Sequence, residues 1–209
     1  MSLELWLTFV AASTALLLIP GPTVLLVLSY ALSKGRSVAV ASAAGVALGD
    51  LIAMTASLLG LGALVLASAT LFVALKWVGA AYLIWLGVKL IRSAPSEGLV
   101  AGAQIDVSAK HVFGHAAAVT ALNPKSIAFF IAFVPQFIRA DAPLLPQFGI
   151  LIATFVSLAA LNALAYALLA DRLRRVIARP RIITWITRAG GAALIGMGVL
   201  TATLRRSAA

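Results

Sequence analysis

A single carboxylate, Asp50, ends the string GVALGD inside a run that carries no other charge from Val38 to Ala74. In hydrocarbon a charged side chain costs about 2.5 to 3.5 kcal/mol or more, so an acid at this depth faces a protein interior or a water-filled path. Two chemistries suit it: attracting a cation and taking up a proton. Asn162 interrupts another long uncharged stretch, between Asp141 and Asp171. Two further strings, IPGP at Ile19 to Pro22 and NPK at Asn123 to Lys125, place helix breakers inside apolar sequence. Proline removes an internal hydrogen bond and clashes with the preceding turn. Carbonyls and amides freed around Pro20, Gly21, Pro22 and Pro124 find no partner in hydrocarbon, so something polar must meet them. One proline kink serves helix packing equally well. Two prolines flanking a glycine, matched by a second break, point to a site.

The elements that position these residues are membrane helices. Of the 209 residues 63% are hydrophobic and 11% charged, with a mean hydropathy of +1.09, against about 25% charged in soluble domains. No charge occurs between Glu4 and Lys34 or between Asp141 and Asp171, and each gap exceeds the roughly 20 residues that a spanning helix needs. The first stretch reads as mature structure and not as a secretory signal, since Glu4 stands where a basic region belongs and the apolar run is long for a signal. Six spans are predicted: Leu5 to Leu32, Val38 to about Leu61, about Leu66 to Ile91, about His115 to Ile138, about Leu145 to Ala170, and about Ile183 to Leu204. The chain is one polytopic domain, with a first half over 1–92, a polar linker over 93–114 and a second half over 115–209. It has no cysteine, so neither a disulfide framework nor a thiolate metal site is available.

The halves resemble each other. GAAYLIWLGV, Gly79 to Val88, and GGAALIGMGV, Gly190 to Val199, agree at six of ten positions, including Gly79 with Gly190 and Gly87 with Gly198. The same offset carries Asp50 to within one residue of Asn162. An odd number of spans per repeat forces an inverted relation. The fold expected is an all-α membrane protein of six transmembrane helices, built as two inverted three-helix repeats, the first helix of each repeat broken. At about 1.5 Å per residue, Pro20 and Asp50 lie roughly 18 Å from the cytoplasmic ends of their spans, Pro124 roughly 14 Å and Asn162 roughly 12 Å. In a core about 30 Å thick these four converge near the midplane, where transporter sites sit.

The net charge of +10 does not signal nucleic acid, because the basic residues fall in alternate loops. Lys34 and Arg36 lie in the first; Lys89, Arg92 and Lys110 in the third; Arg172, Arg174, Arg175, Arg179 and Arg181 in the fifth, with Arg188 nearby. This is the positive-inside pattern. It places odd loops in the cytoplasm and both termini outside, although Arg205 and Arg206 oppose it at the C-terminus.

IPGP, then KGR (Lys34 to Arg36), GVALGD, LKWVGAAYLIWLGVKLIR and ALNPKSIAFFIAFVPQF, in this order and spacing, resemble the LysE/RhtB family of bacterial amino-acid exporters, particularly its homoserine, threonine and leucine exporting branch. The likeness covers essentially the whole chain; Ala39, where the family pattern has glycine, is a small departure, and the last span is generic. The resemblance implies a bacterial inner-membrane exporter of amino acids or their derivatives, driven by the proton gradient and needing no cofactor. In that setting Asp50 attracts the substrate ammonium when ionised and releases it when protonated. Asn123 and Asn162 add neutral hydrogen bonds, and Tyr82 lines the path. Lys125 has two roles open to it: holding the substrate carboxylate beside freed amides at a half-helix N-terminus, or an internal ion pair with Asp50. The partners expected are a small zwitterion, protons and the lipid bilayer, without nucleic acid; a homo-oligomer is compatible with these features.

Competing classes fit less well. An inorganic cation exporter or channel, the alternative reading, would stack several acids or carbonyl rings, whereas one deep acid beside a deep lysine suits a zwitterion. An intramembrane enzyme lacks its signatures, since HExxH, GxSxG and a deep histidine are all missing. His111 and His115, four apart in HVFGH, flank a loop without adjacent acids and read as solvated juxtamembrane residues. Lys76 snorkels to the interface, and Trp6, Trp77 and Trp185 suit the interfacial belt.

Overall fold

Proline and glycine divide the chain where apolar sequence alone would have run on. The computed structural model describes residues 1–19, 21–34, 38–67, 69–92, 108–139, 142–170 and 180–203, and among these every regular element is helical. Helix α1 (Leu3–Leu18) starts behind Ser2, whose side chain accepts a hydrogen bond from Leu5 N, and ends at Ile19 in extended backbone. Helix α2 (Pro22–Lys34) opens on a proline, at a position where a missing N–H costs nothing. The two axes differ by 57°. Pro20 lies outside the described residues.

Helices α3 (Ala39–Ala67) and α4 (Ala69–Arg92) complete the first half. In the second half α5 (Ala109–Ala121) is followed by α6 (Pro124–Ala132), a 3-10 turn over Val134–Phe137, α7 (Leu144–Leu168) and α8 (Pro180–Thr203). The α5–α6 pair bends by 45°. Asn123 caps the new start, its side chain accepting from Lys125 N, with Pro124 in the first turn. By length and composition three helices can cross a membrane, Ala39–Ala63, Leu144–Leu168 and Thr184–Thr203, or up to five if each bent pair is one span.

The second half starts earlier than the polar character of 93–114 suggests. Ser108 accepts from His111 N and begins α5 at Ala109, so Lys110 and His111, which read as loop, lie in a helical first turn. Residues 93–107 lie outside the described residues.

Two seams hold the bundle. Along α3 and α5 small residues permit close approach: a Cβ on Gly49 would stand 2.6 Å from Ala117 O and 2.7 Å from Thr120 Cβ. Between α4 and α8 the fit is reciprocal. A Cβ on Gly87 would meet Gly191 O at 2.5 Å and Ile195 at 2.7 Å, and one on Gly198 would meet Ile84 at 2.7 Å and Ala80 O at 2.8 Å. Rising numbers on α4 face falling numbers on α8, so the two helices run antiparallel. From within α6 through the turn that follows it, Phe129, Phe133 and Phe137 form an aromatic core with Phe9 of α1 and Phe155 of α7. This core fixes α6, which carries Lys125, against α1 and α7.

Candidate functional site

The last carbonyls of a helix lack intrahelical partners, and at the end of α1 they are met by side chains from the second half. Lys125 Nζ donates to Leu16 O at 3.1 Å and to Ile19 O at 2.9 Å. Asn162 Nδ2 donates to Leu17 O at 3.2 Å, and the Tyr166 hydroxyl to Leu18 O at 3.2 Å. Asn162 and Tyr166 are four apart on α7 and therefore share a helix face.

The two breaks also touch each other. Asn123 uses both ends of its amide: Oδ1 accepts from Lys125 N at 3.0 Å, and Nδ2 donates to Thr23 Oγ1 at 3.2 Å. Thr23 Oγ1 lies 3.3 Å from Thr120 Oγ1. The first turn of α2 is thus tied to the end of α5 and the cap of α6. Gly21 and Pro22 stand at this junction, and Pro124 opens the facing helix.

Asp50 enters from the middle of α3, one residue past the glycine seam. It is 2% exposed, and its Oδ1 is buried without a hydrogen-bond partner. It lines a small cavity of about 30 Å³, room for two or three waters at roughly 10 to 15 Å³ each. Polar walls come from Thr23, Asn123, Lys125, Ser126, Asn162 and Tyr166; apolar walls come from Leu16, Leu17, Val24, Val27, Val46, Ala159 and Ala163. Asp50 is the one acid among these lining residues. Among the described residues no group of three or more His, Cys, Asp or Glu could hold a metal ion.

The structure therefore gathers Asp50, Asn123, Lys125 and Asn162 around one cavity. Tyr82 stands elsewhere, on α4 with its ring 5.4 Å from Trp85, and does not line this cavity. Thr23, Ser126 and Tyr166 line it although sequence reasoning does not single them out; the signals available are their positions after Pro22, after Lys125 and four past Asn162. His115 Nδ1 lies 2.7 Å from the Tyr30 hydroxyl, so this histidine has a protein partner as well as exposure. Trp6 turns its indole N–H to Thr154 Oγ1 at 3.0 Å, toward α7.

A family model described as LysE type translocator matches residues 14–205. The chain is 36% identical over 207 residues to a homoserine/homoserine lactone efflux protein of Salmonella typhimurium, covering 99% of this chain and 100% of the relative. It is 33% identical over 206 residues to an uncharacterized membrane protein of Vibrio cholerae, covering 98% and 100%. To a leucine efflux protein of Salmonella choleraesuis it is 31% identical over 141 residues, 68% of this chain and 66% of the relative. No solved structure matches the chain.

Proposed function

The chain belongs to the LysE type translocator family, and from that premise we propose that it exports amino acids or their derivatives from the cytoplasm by exchange with protons. The observation that carries the reading is Asp50: a buried acid with an unpartnered oxygen, facing a cavity closed by two helix breaks. A lone acid attracts an ammonium and titrates as that ammonium leaves, which joins substrate release to proton uptake. Gly21, Pro22 and Pro124 keep the helices open at this level. Asn123 and Asn162 supply neutral hydrogen bonds beside Asp50 and Lys125. Tyr82 belongs to the path only in a state that brings α4 toward the cavity. One acid, with no second acid lining the cavity, favours an organic ammonium over an inorganic cation.

The architecture proposed is six spans: α1 with α2, α3, α4, α5 with α6, α7 and α8. The reciprocal antiparallel packing of α4 on α8 supports two inverted repeats, because exchanging Gly87 for Gly198 exchanges Gly191 for Ala80 and Ile195 for Ile84. A two-fold axis in the membrane plane produces such self-complementary contacts. The cavity is too small for an amino acid, so loading requires the halves to part, and rocking about the α4–α8 seam provides the motion. Positive loops orient both termini to the periplasmic side of a bacterial inner membrane.

Efflux from proteoliposomes loaded with a panel of amino acids, with and without an imposed pH gradient, tests the function. Export of at least one zwitterion, accelerated by the gradient, is expected. No transport of any zwitterion overturns the reading.

A further inference from the structure

We propose that Lys125 is a positioning residue, a tethered cation that pins the broken end of α1 to α6, and that it does not read the substrate's carboxylate. This rests on the export reading above and gives Lys125 its role within it. An ammonium has three hydrogens to donate, and two of them are committed to Leu16 O and Ile19 O. A cation is favoured at the C-terminal end of a helix by the aligned peptide dipoles. Leu16 O also accepts from Ile19 N at 3.2 Å, so it is Ile19 O that loses its donor when the cation is removed, a cost that hydrocarbon does not relieve. The two carbonyls between them are occupied as well, by Asn162 and Tyr166. Four consecutive carbonyls of the first half are thus closed by donors from the second.

Backbone geometry supports the same role. A Cβ on Gly21 would stand 3.3 Å from Lys125 Nζ, so the glycine leaves the ammonium room to settle against the break. Asp50, facing the same cavity, keeps Oδ1 without a partner. The site therefore contains an acid with an unpartnered oxygen and a base bound to backbone carbonyls. Such a site selects the amino group of its ligand through Asp50 and leaves the carboxyl end unread by Lys125. Because the Lys125 contacts join the two halves, they must break or re-form whenever α1 moves against α6. Lys125 accordingly sets the rate of the conformational step, and not the affinity for one end of the substrate.

The test compares one exported amino acid with its methyl ester in proteoliposomes containing the full chain. For each, the maximal rate and KM are measured, or the inhibition constant where the ester only competes. In Lys125→Met the maximal rate is expected to fall by about tenfold, the scale of one lost charge-assisted hydrogen bond. The ester-to-acid ratio of KM should stay within about threefold of wild type, since a tenfold difference corresponds to one such contact. A KM that rises for the amino acid alone overturns the proposal, because Lys125 would then be reading the carboxylate; an unchanged maximal rate overturns it equally. Should Lys125→Met fail to fold, Lys125→Arg and Tyr166→Phe disturb the same joint. These are expected to slow both compounds in parallel, and a changed ratio in Lys125→Arg overturns the proposal. No export of either compound by the wild type would remove the export reading and this one together.

Discussion

Asp50 and Lys125 line one cavity from opposite halves of the chain, yet among the described residues no hydrogen bond or ion pair joins them. The lysine is bound to the end of α1, while one carboxylate oxygen of Asp50 is buried and unpartnered. Burying a carboxylate oxygen without a partner is unfavourable for folding, a cost for which the proposed coupling role gives a reason. On the proposed reading the two charges have separate roles, the acid being available to a ligand while the base holds the joint.

Asp50→Asn should therefore abolish proton-driven export while leaving the fold intact. The amide keeps the shape and removes both the charge and the titration. Export driven by a pH gradient is expected to fall on the order of a hundredfold, the scale of a charged hydrogen bond worth about 3 kcal/mol. Thermal unfolding in detergent should occur no lower than in wild type, because an orphaned acid has been removed. Normal gradient-driven export by this variant would take Asp50 out of the coupling role.

Asn123 offers a prediction in which its two functions separate. Asn123→Ala loses the α6 cap and the tie to Thr23, and a lost cap alone costs about 0.5 to 2 kcal/mol. Asn123→Asp retains an acceptor for Lys125 N but cannot donate to Thr23 Oγ1 when ionised. If the cap is what matters, the aspartate variant melts near wild type and the alanine variant below it. If the link between the breaks matters more, both lose export to a similar degree. Melting and efflux measured on the same preparations distinguish these outcomes.

Much of this site is legible in the sequence, for a physical reason: hydrocarbon tolerates few polar groups, so Asp50, Asn162 and the two proline strings stand out against an uncharged background. Their shared level in the membrane can be anticipated from depth alone. What depth cannot give is rotation about the helix axis, which decides whether a side chain faces a cavity or a neighbouring helix. Tyr82 has a suitable level but stands beside Trp85. Tyr166 draws no notice in the sequence, although it lies one turn beyond Asn162 on the same face. The partners of Lys125 are illegible for a further reason. They are backbone carbonyls 106 and 109 residues away in sequence, and a carbonyl carries no residue-type signal. Gln147 is a similar case: buried, it binds the backbone of Arg139, Ala142 and Pro143 at the turn into α7, and an isolated glutamine near a helix start gives no hint of that.

The α4–α8 seam allows the repeat itself to be tested. If the halves are related by a two-fold axis, Gly87 and Gly198 occupy equivalent positions, each facing a backbone carbonyl and an isoleucine of the other helix. Gly87→Ala and Gly198→Ala should then lower the melting temperature by similar amounts, with overpacking of this kind costing about 1 to 3 kcal/mol. Both substitutions press on one interface, so the double variant should lose less than the sum of the two, since a seam already wedged apart by one methyl accommodates the second more easily. Slow export is expected in each single variant, because rocking about the seam requires the helices to stay in close register. A large loss from one substitution with none from the other would show that the resemblance of the two strings is compositional, and would remove the symmetric seam as the pivot of transport.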